Sequence, residues 1–163
     1  MDHQLLPSLP QAEFRDVMSL LTADVFVVTA IRADGRPCGL TVTSVTSHSD
    51  MPPSISFNVA VTARSHQPVI SARALGVHLL AVGQDETAMK FSTTADDKFA
   101  TVDWEHDEGV PRLRGCLAFL LCAPAAVFGH GDHSIVVAQI IRADLGCGLP
   151  LVYARRRLGW RLT

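Results

Sequence analysis

Apolar residues recur along this chain with two periods, and the shorter one dominates. Phe14, Val17, Met18 and Leu21 stand at i, i+3, i+4 and i+7. That spacing is one apolar stripe on a short packing helix, with Ser8 a candidate N-cap and Pro10 in the first turn. Beyond it the pattern is that of strands. Residues 25–31, VFVVTAI, are β-branched, and Asp34 with Gly35 turns the chain back through Cys38 into residues 39–53, GLTVTSVTSHSDMPP. There Leu40, Val42 and Val45 alternate with Thr41, Thr43, Ser44, Thr46 and Ser47, so one side of an extended segment buries aliphatics and the other offers hydroxyls. Pro52 and Pro53 end that strand, and a third follows over 55–61, where Ile55, Phe57 and Val59 alternate with Ser56 and Asn58.

A polar break, TARSHQ at 62–67, precedes a helix opened by Pro68 and running to Ala74. The pattern then predicts a strand over 75–82, a helix over 86–91, a polar segment over 96–104 and a loop over 109–114. The apolar run at 116–128, CLAFLLCAPAAVF, falls short of the roughly 20 residues a membrane-crossing helix needs. With Pro124 inside it, it reads as a bent core strand. A loop at 129–133 returns the chain through a strand at 134–141, and short strands at 149–153 and 158–162 close it. Strands outnumber helices, turns are tight and a regular βαβ alternation is missing, which predicts a mainly β fold: a small antiparallel barrel with a few short peripheral helices. The organisation expected is one domain over 1–163, with 1–12 a loose tail.

Composition narrows the partners. The chain has 163 residues, 48% apolar and 18% charged, enough for a real core and an oligomer interface besides. A formal net charge of -2 leaves no basic field for nucleic acid. With neither a membrane-spanning run nor a secretory leader, the expectation is a cytoplasmic protein away from membranes. Cys38, Cys116, Cys122 and Cys147 show no C-x-x-C spacing and read as reduced thiols. His130, Asp132 and His133 lack a fourth ligand at recognisable spacing, so no metal site is expected. P-loop, Rossmann and nucleophile-elbow motifs are absent.

The chemistry that remains is that of ligand binding. Hydroxyls and amides on a strand edge suit a flat, polyoxygenated ligand, although an ordinary Thr-rich strand has the same pattern. Arg64 and Ser65, in a turn feeding a helix, make a phosphate seat or simply a capped helix start. His133 in its Gly-rich loop is placed to donate a proton or to contact a ligand. The run Arg155, Arg156, Arg157 is a 2′-phosphate grip or a solvated surface.

Seven segments, in order, resemble the flavin reductase-like family with the FMN-binding split β-barrel, the reductase components of two-component flavin-dependent monooxygenases. They are DGRPCGLTVTSVTS, the Pro52 and Pro53 pair, ARSHQPVI, GVHLLA, DKF at 97–99, GDHSIVVAQI and PLVYARR. The resemblance spans about residues 14–162. It implies a flavin, FMN or FAD, lying along Thr41, Val42, Thr43 and Ser44, with its phosphate near Ala63, Arg64 and Ser65. Asn58 and Ser47 are implied as further contacts, Lys98 as a residue close to the flavin, and His133 as the catalytic-site residue that positions the nicotinamide. The activity implied is hydride transfer from NADH or NADPH, the reduced flavin then diffusing to a partner monooxygenase, with a homodimer as the assembly. A flavin-bound electron carrier or oxidase, and a non-enzymatic flavin-binding module, are alternatives on the same barrel. Two departures from the family pattern bear on detail. His48, Ser49, Asp50 and Met51 alter the charge of the loop after the flavin strand, and Ala63 stands where many relatives carry Ser.

Overall fold

The computed structural model of the protein describes residues 7–159. Twelve strands and three short helices succeed one another in it: α1 (Gln11–Met18), β1 (Ala23–Asp24), β2 (Phe26–Ile31), β3 (Pro37–Val42), β4 (Thr46–Asp50), β5 (Pro53–Ala60), α2 (His66–Ser71), β6 (Leu75–Leu79), α3 (Asp85–Ser92), β7 (Trp104–Asp107), β8 (Val110–Leu113), β9 (Ala118–His130), β10 (His133–Leu145), β11 (Val152–Ala154) and β12 (Arg157–Leu158). Seven strands form one antiparallel sheet in the order β3-β2-β6-β9-β10-β5-β4. The strands β1, β11 and β12 make a second sheet, and β7 with β8 a two-stranded hairpin. The mainly β expectation holds. Among the described residues no helix is long and apolar enough to cross a membrane.

The large sheet curls so that β3, at one edge, approaches β5, which lies next to the other edge. Beyond Val42 the chain leaves β3, and Ser44 Oγ accepts a hydrogen bond from the Asn58 amide of β5 at 2.9 Å. Inside the curl lies one core, built from Val28, Ala30, Leu40, Val42, Ile55, Phe57, Val59, Val77 and Val136. The alternation of Ile55, Phe57 and Val59 therefore points inward as its period demands. β2 is covered on both faces, so its run of apolar residues is continuous. Val25 and Val27 turn outward into a second core with Leu80, Ala88, Phe91, Phe99, Leu113 and Leu151, beneath α3 and the two small sheets.

β9 and β10 form the longest hairpin, and the bent strand expected around Pro124 is β9. Its register with β10 shifts between Val137 and Ala138, where Pro124 faces Ala138, and again between Ile140 and Arg142. The second shift carries β10 on to Leu145, past the expected end at 141. Several other boundaries differ from expectation. The segment 39–53 is two strands, β3 and β4, joined by a crossing at 43–45. β7 and β8 replace the expected polar segment and loop, because Glu108 and Gly109 both adopt positive φ and close a two-residue hairpin turn. α1 begins after Pro10 with no side-chain cap, and it buries none of its stripe: Phe14, Val17, Met18 and Leu21 are all exposed. Of the closing strand expected at 158–162, residues 160–163 lie outside the described residues, as do residues 1–6 of the expected tail.

The β7–β8 hairpin is fastened by polar contacts. His78 is fully buried; its Nδ1–H donates to Val27 O at 3.0 Å and its Nε2 accepts the Leu113 amide at 3.0 Å. Thr29 Oγ1 donates to Pro111 O at 2.6 Å. Arg112 and Arg142 share Asp107 and Asp144 and stack over Phe119. Cys38, Cys116, Cys122 and Cys147 are all free, and burial raises the Cys116 thiol to about 11 and that of Cys122 to about 12, so both stay protonated.

Burial holds His78 neutral by lowering its pKa from 6.5 to about 4. Between those values the unfolded chain binds the proton and the folded one does not. Stability is therefore complete above pH 6.5 and falls as the pH drops towards 4, by roughly 3 kcal/mol from this group. Urea unfolding of wild type and His78→Gln at several pH values checks this: the variant should be weaker throughout but flatter between pH 6.5 and 4. Equal slopes would show that His78 does not carry the loss.

Candidate functional site

The end of β3, the turn after β5 and the segment after α3 converge on Gly39. A Cβ on Gly39 would lie 2.8 Å from Val28 O and 3.0 Å from the Phe91 ring, so only a bare Cα lets α3 press on β3. Its carbonyl oxygen accepts from Ser65 Oγ at 3.0 Å and from Lys98 Nζ at 3.2 Å. Thr41 Oγ1 donates to Ala88 O at 2.6 Å and ties α3 to the same strand. Beside this junction opens a cleft of about 440 Å³, with Leu40, Val42 and Phe91 among its apolar lining.

Ten of the eleven residues singled out in the sequence line the cleft: Thr41, Val42, Thr43, Ser44, Asn58, Ala63, Arg64, Ser65, Lys98 and His133. Ser47 does not. The crossing at 43–45 ends the hydroxyl strand, and Ser47 sits exposed on β4 opposite Ile55. The cleft also gathers Thr62, Ser92, Thr93 and Thr94, which sequence reasoning passed over. The signal for Ser92, Thr93 and Thr94 was the hydroxyl run STT after an amphipathic helix, and Thr62 opens the polar break TARSHQ.

Hydrogen-bond partners separate fixed hydroxyls from free ones. The protons of Thr41 and Ser65 are committed to Ala88 O and Gly39 O, and those of Ser92 and Thr93 to carbonyls of their own helix. Ser44 only accepts, so its proton remains to donate, and Thr43, Thr62 and Thr94 hold no side-chain hydrogen bond among the described residues. The turn that carries Arg64 and Ser65 feeds a helix, as expected. α2 starts at His66 rather than Pro68 and has six residues, too few for a strong dipole. In the turn, Ala63 and His66 amides bond within it, while those of Arg64 and Ser65 have no partner among the described residues.

Two cations stand at that end of the cleft, in different states. Arg64 is paired with Asp96, whose carboxyl it holds below the usual range, and both are exposed. Lys98 is buried at 8% exposure. Its ammonium donates to two carbonyls, Gly39 O and Phe91 O at 3.0 Å, and makes no ion pair with a carboxylate among the described residues. Desolvation lowers its pKa from the ordinary lysine value, as expected of a charge kept from water without a counter-ion. A buried cation at one end, free hydroxyls along the middle and an apolar floor fit an anionic, polyoxygenated ligand with a flat apolar ring.

At the other wall, the register of β10 against β5 sets His133 beside Ala60. Its Nδ1 lies 2.8 Å from Asp132 Oδ1, which fixes the ring and leaves Nε2 without a partner among the described residues. Hydrogen bonding to His133 lowers the Asp132 pKa. Among the described residues no three His, Cys, Asp or Glu side chains come together to hold a metal.

Comparison with known proteins places this architecture. The family model described as "Flavin reductase like domain" matches residues 18–160. The reductase component of 4-nitrophenol 4-monooxygenase/4-nitrocatechol 2-monooxygenase from Rhodococcus opacus is 36% identical, over 100% of this chain and 92% of that one. The FMN reductase (NADH) SmoA from Agrobacterium fabrum is 36% identical, over 90% and 83%. Among solved structures, the NADH:FAD oxidoreductase SgcE6 from Streptomyces globisporus, in complex with NAD and FAD fragments, superposes with a TM-score of 0.89 at 29% identity, covering 98% of this chain and 97% of that one.

Because Thr41 anchors α3 through Ala88 O, Thr41→Val should lower stability by about 1 kcal/mol, the worth of one hydrogen bond, while preserving shape. Thermal melting reads this directly, and an unchanged Tm would mean that the bond to Ala88 contributes nothing.

Proposed function

Because the chain belongs to the flavin reductase-like domain family, we propose that it is an NAD(P)H-dependent flavin reductase acting on FMN or FAD. The observation that carries this reading is the buried Lys98 ammonium, without a carboxylate partner, at the end of a cleft lined with free hydroxyls. In the reaction, NAD(P)H, flavin and a proton give NAD(P)⁺ and reduced flavin; the flavin supplies the hydride acceptor.

The chain's own residues bind and orient. Lys98 and the Arg64–Ser65 amides hold the phosphate. Thr43 and Ser44 donate to the polar edge of the ring and its sugar-alcohol tail, and Asn58 borders them. Val42 and Phe91 keep water from the apolar side, where proximity replaces a bimolecular encounter. His133, oriented by Asp132, presents Nε2 to the nicotinamide and is placed to hydrogen-bond its amide.

In this reading the reduced flavin leaves for a monooxygenase; the Rhodococcus opacus relative is named as the reductase component of such an enzyme. The assembly in this reading is a homodimer: the unburied stripe of α1, with Phe14 at 52% and Val17 at 51% exposure, is an apolar face that a second copy would cover.

Anaerobic absorbance with excess FMN or FAD and NADH or NADPH tests the activity. Catalytic bleaching of free flavin is expected; bleaching limited to one equivalent would mark an electron carrier, and no bleaching a binding module. His133→Ala should raise KM for the nucleotide several-fold and leave the flavin Kd within about twofold, as loss of one hydrogen bond implies. Unchanged nucleotide kinetics would remove His133 from the site. Light scattering should give the mass of two chains, and a monomer would contradict the dimer.

A further inference from the structure

The cleft and a smaller hollow behind it share Arg64, Ser65 and Lys98. The hollow, of about 10 Å³, has no room for a flavin group, and Arg32 and Asp96 complete its charged lining. Among the residues lining either space, Arg32, Arg64 and Lys98 are cations and Asp96 is the one carboxylate. We propose that Asp96 sets the affinity for flavin phosphate: its carboxylate holds the Arg64 guanidinium in the free protein, the phosphate has to displace it, and FMN is thereby bound loosely enough to exchange. The proposal rests on the flavin reductase reading and adds what keeps the flavin exchangeable.

The balance of charge carries the argument. Arg36, the other arginine nearby, is paired with Asp34. Arg32 makes no ion pair among the described residues, and its Nε is buried without a hydrogen-bond partner there. Burial lowers the Lys98 pKa, and the charges of Arg32 and Arg64 push it down further. This corner is therefore more cationic than the fold neutralises, and an anion is the partner it lacks. Asp96 is the anion that the chain itself provides. The hydrogen bond from Arg64 holds its carboxyl below the usual range, and Arg32 and Arg36 act in the same sense, so it is ionised at neutral pH. Yet both partners of the Arg64–Asp96 pair are more than half exposed, and such a pair adds little stability. A contact that weak is readily exchanged, because a phosphate offers the guanidinium two parallel acceptors and more charge than a carboxylate. Arg64 is placed for that exchange. Its amide belongs to the turn with free N–H groups, and its side chain lines both the cleft and the hollow. Asp96 stands two residues after Thr94 and two before Lys98, so one short segment brings both the cation that attracts the phosphate and the carboxylate that opposes it.

The test is Asp96→Asn, which removes the charge and keeps the shape. At low salt, Kd and KM for FMN should fall about three- to tenfold, while the Kd for riboflavin, which has no phosphate, stays within about twofold. The Tm should hold, and the gain for FMN should fade as salt is raised. Asp96→Glu should restore loose binding. In an Arg64→Gln background the gain from Asp96→Asn should shrink; an undiminished gain would overturn the proposal, because the carboxylate would then act on the phosphate directly and not through the guanidinium. Unchanged FMN affinity overturns it, as does equal tightening of FMN and riboflavin. Weaker binding of both, with a lower Tm, also overturns it and would mark Asp96 as a brace for the segment carrying Lys98. A wild type that neither binds FMN nor turns over NADH or NADPH would reject the reductase reading and this proposal with it, whereas turnover in wild type with equal FMN affinity of the two proteins would reject only the role of Asp96.

Discussion

One backbone carbonyl, that of Gly39, organises the site. It sits on β3 and accepts both a buried hydroxyl from the turn after β5 and a buried ammonium from the segment after α3. The hydroxyl has no other partner among the described residues, the ammonium shares itself between this carbonyl and Phe91 O, and an unsatisfied buried ammonium is costly. The bare Cα beneath lets Phe91 close the remaining gap. Three pieces of chain distant in sequence are thereby held at fixed spacing around one hollow, and the charge left facing that hollow is positive.

The rest of the fold supplies stiffness. β2 is buried on both faces and carries a core on each, so movement of β3 has to displace two packed clusters. On the side away from the cleft, His78, Thr29 and the Arg112, Arg142, Asp107 network bind the β7–β8 hairpin to the sheet. Apart from Arg142 Nε, which is buried without a partner among the described residues, these polar groups are hydrogen-bonded, and they fix one arrangement of the hairpin. Softer elements lie at the rim: the Arg64–Asp96 pair is exposed, and so is the β9–β10 tip that carries His133. Binding groups on a rigid floor with adjustable edges suit a ligand that has to enter and leave.

Much of this was legible in the sequence, and the gaps have physical reasons. Strands with one wet face announced themselves by alternation, as with Ile55, Phe57 and Val59, and the Asp34–Gly35 turn fixed the first hairpin. β7 and β8 escaped because Trp104–Asp107 is mostly polar and Pro111 interrupts its partner, while the turn at Glu108 and Gly109 is set by backbone angles. β10 was read short because the bulge near Ile141 breaks the two-residue period. The hydroxyl strand pointed to the cleft, yet the same pattern placed Ser47 with it, since nothing in the alternation marks where the chain crosses from β3 to β4. Backbone acceptors have no signature at all, so the junction at Gly39 and the commitment of Thr41 and Ser65 to it emerge only from the fold. Resemblance to a family named Lys98 and His133; geometry shows what holds each of them.

The central claim is that the hollow beside Gly39 holds a flavin by its phosphate. A crystal structure grown with FMN tests it most directly. Density for the phosphate between Lys98 and the amides of Arg64 and Ser65, with the tail along Thr43 and Ser44, is the result expected. Flavin ordered elsewhere on the protein, or a hollow filled by the chain's own side chains in saturating FMN, would contradict the account.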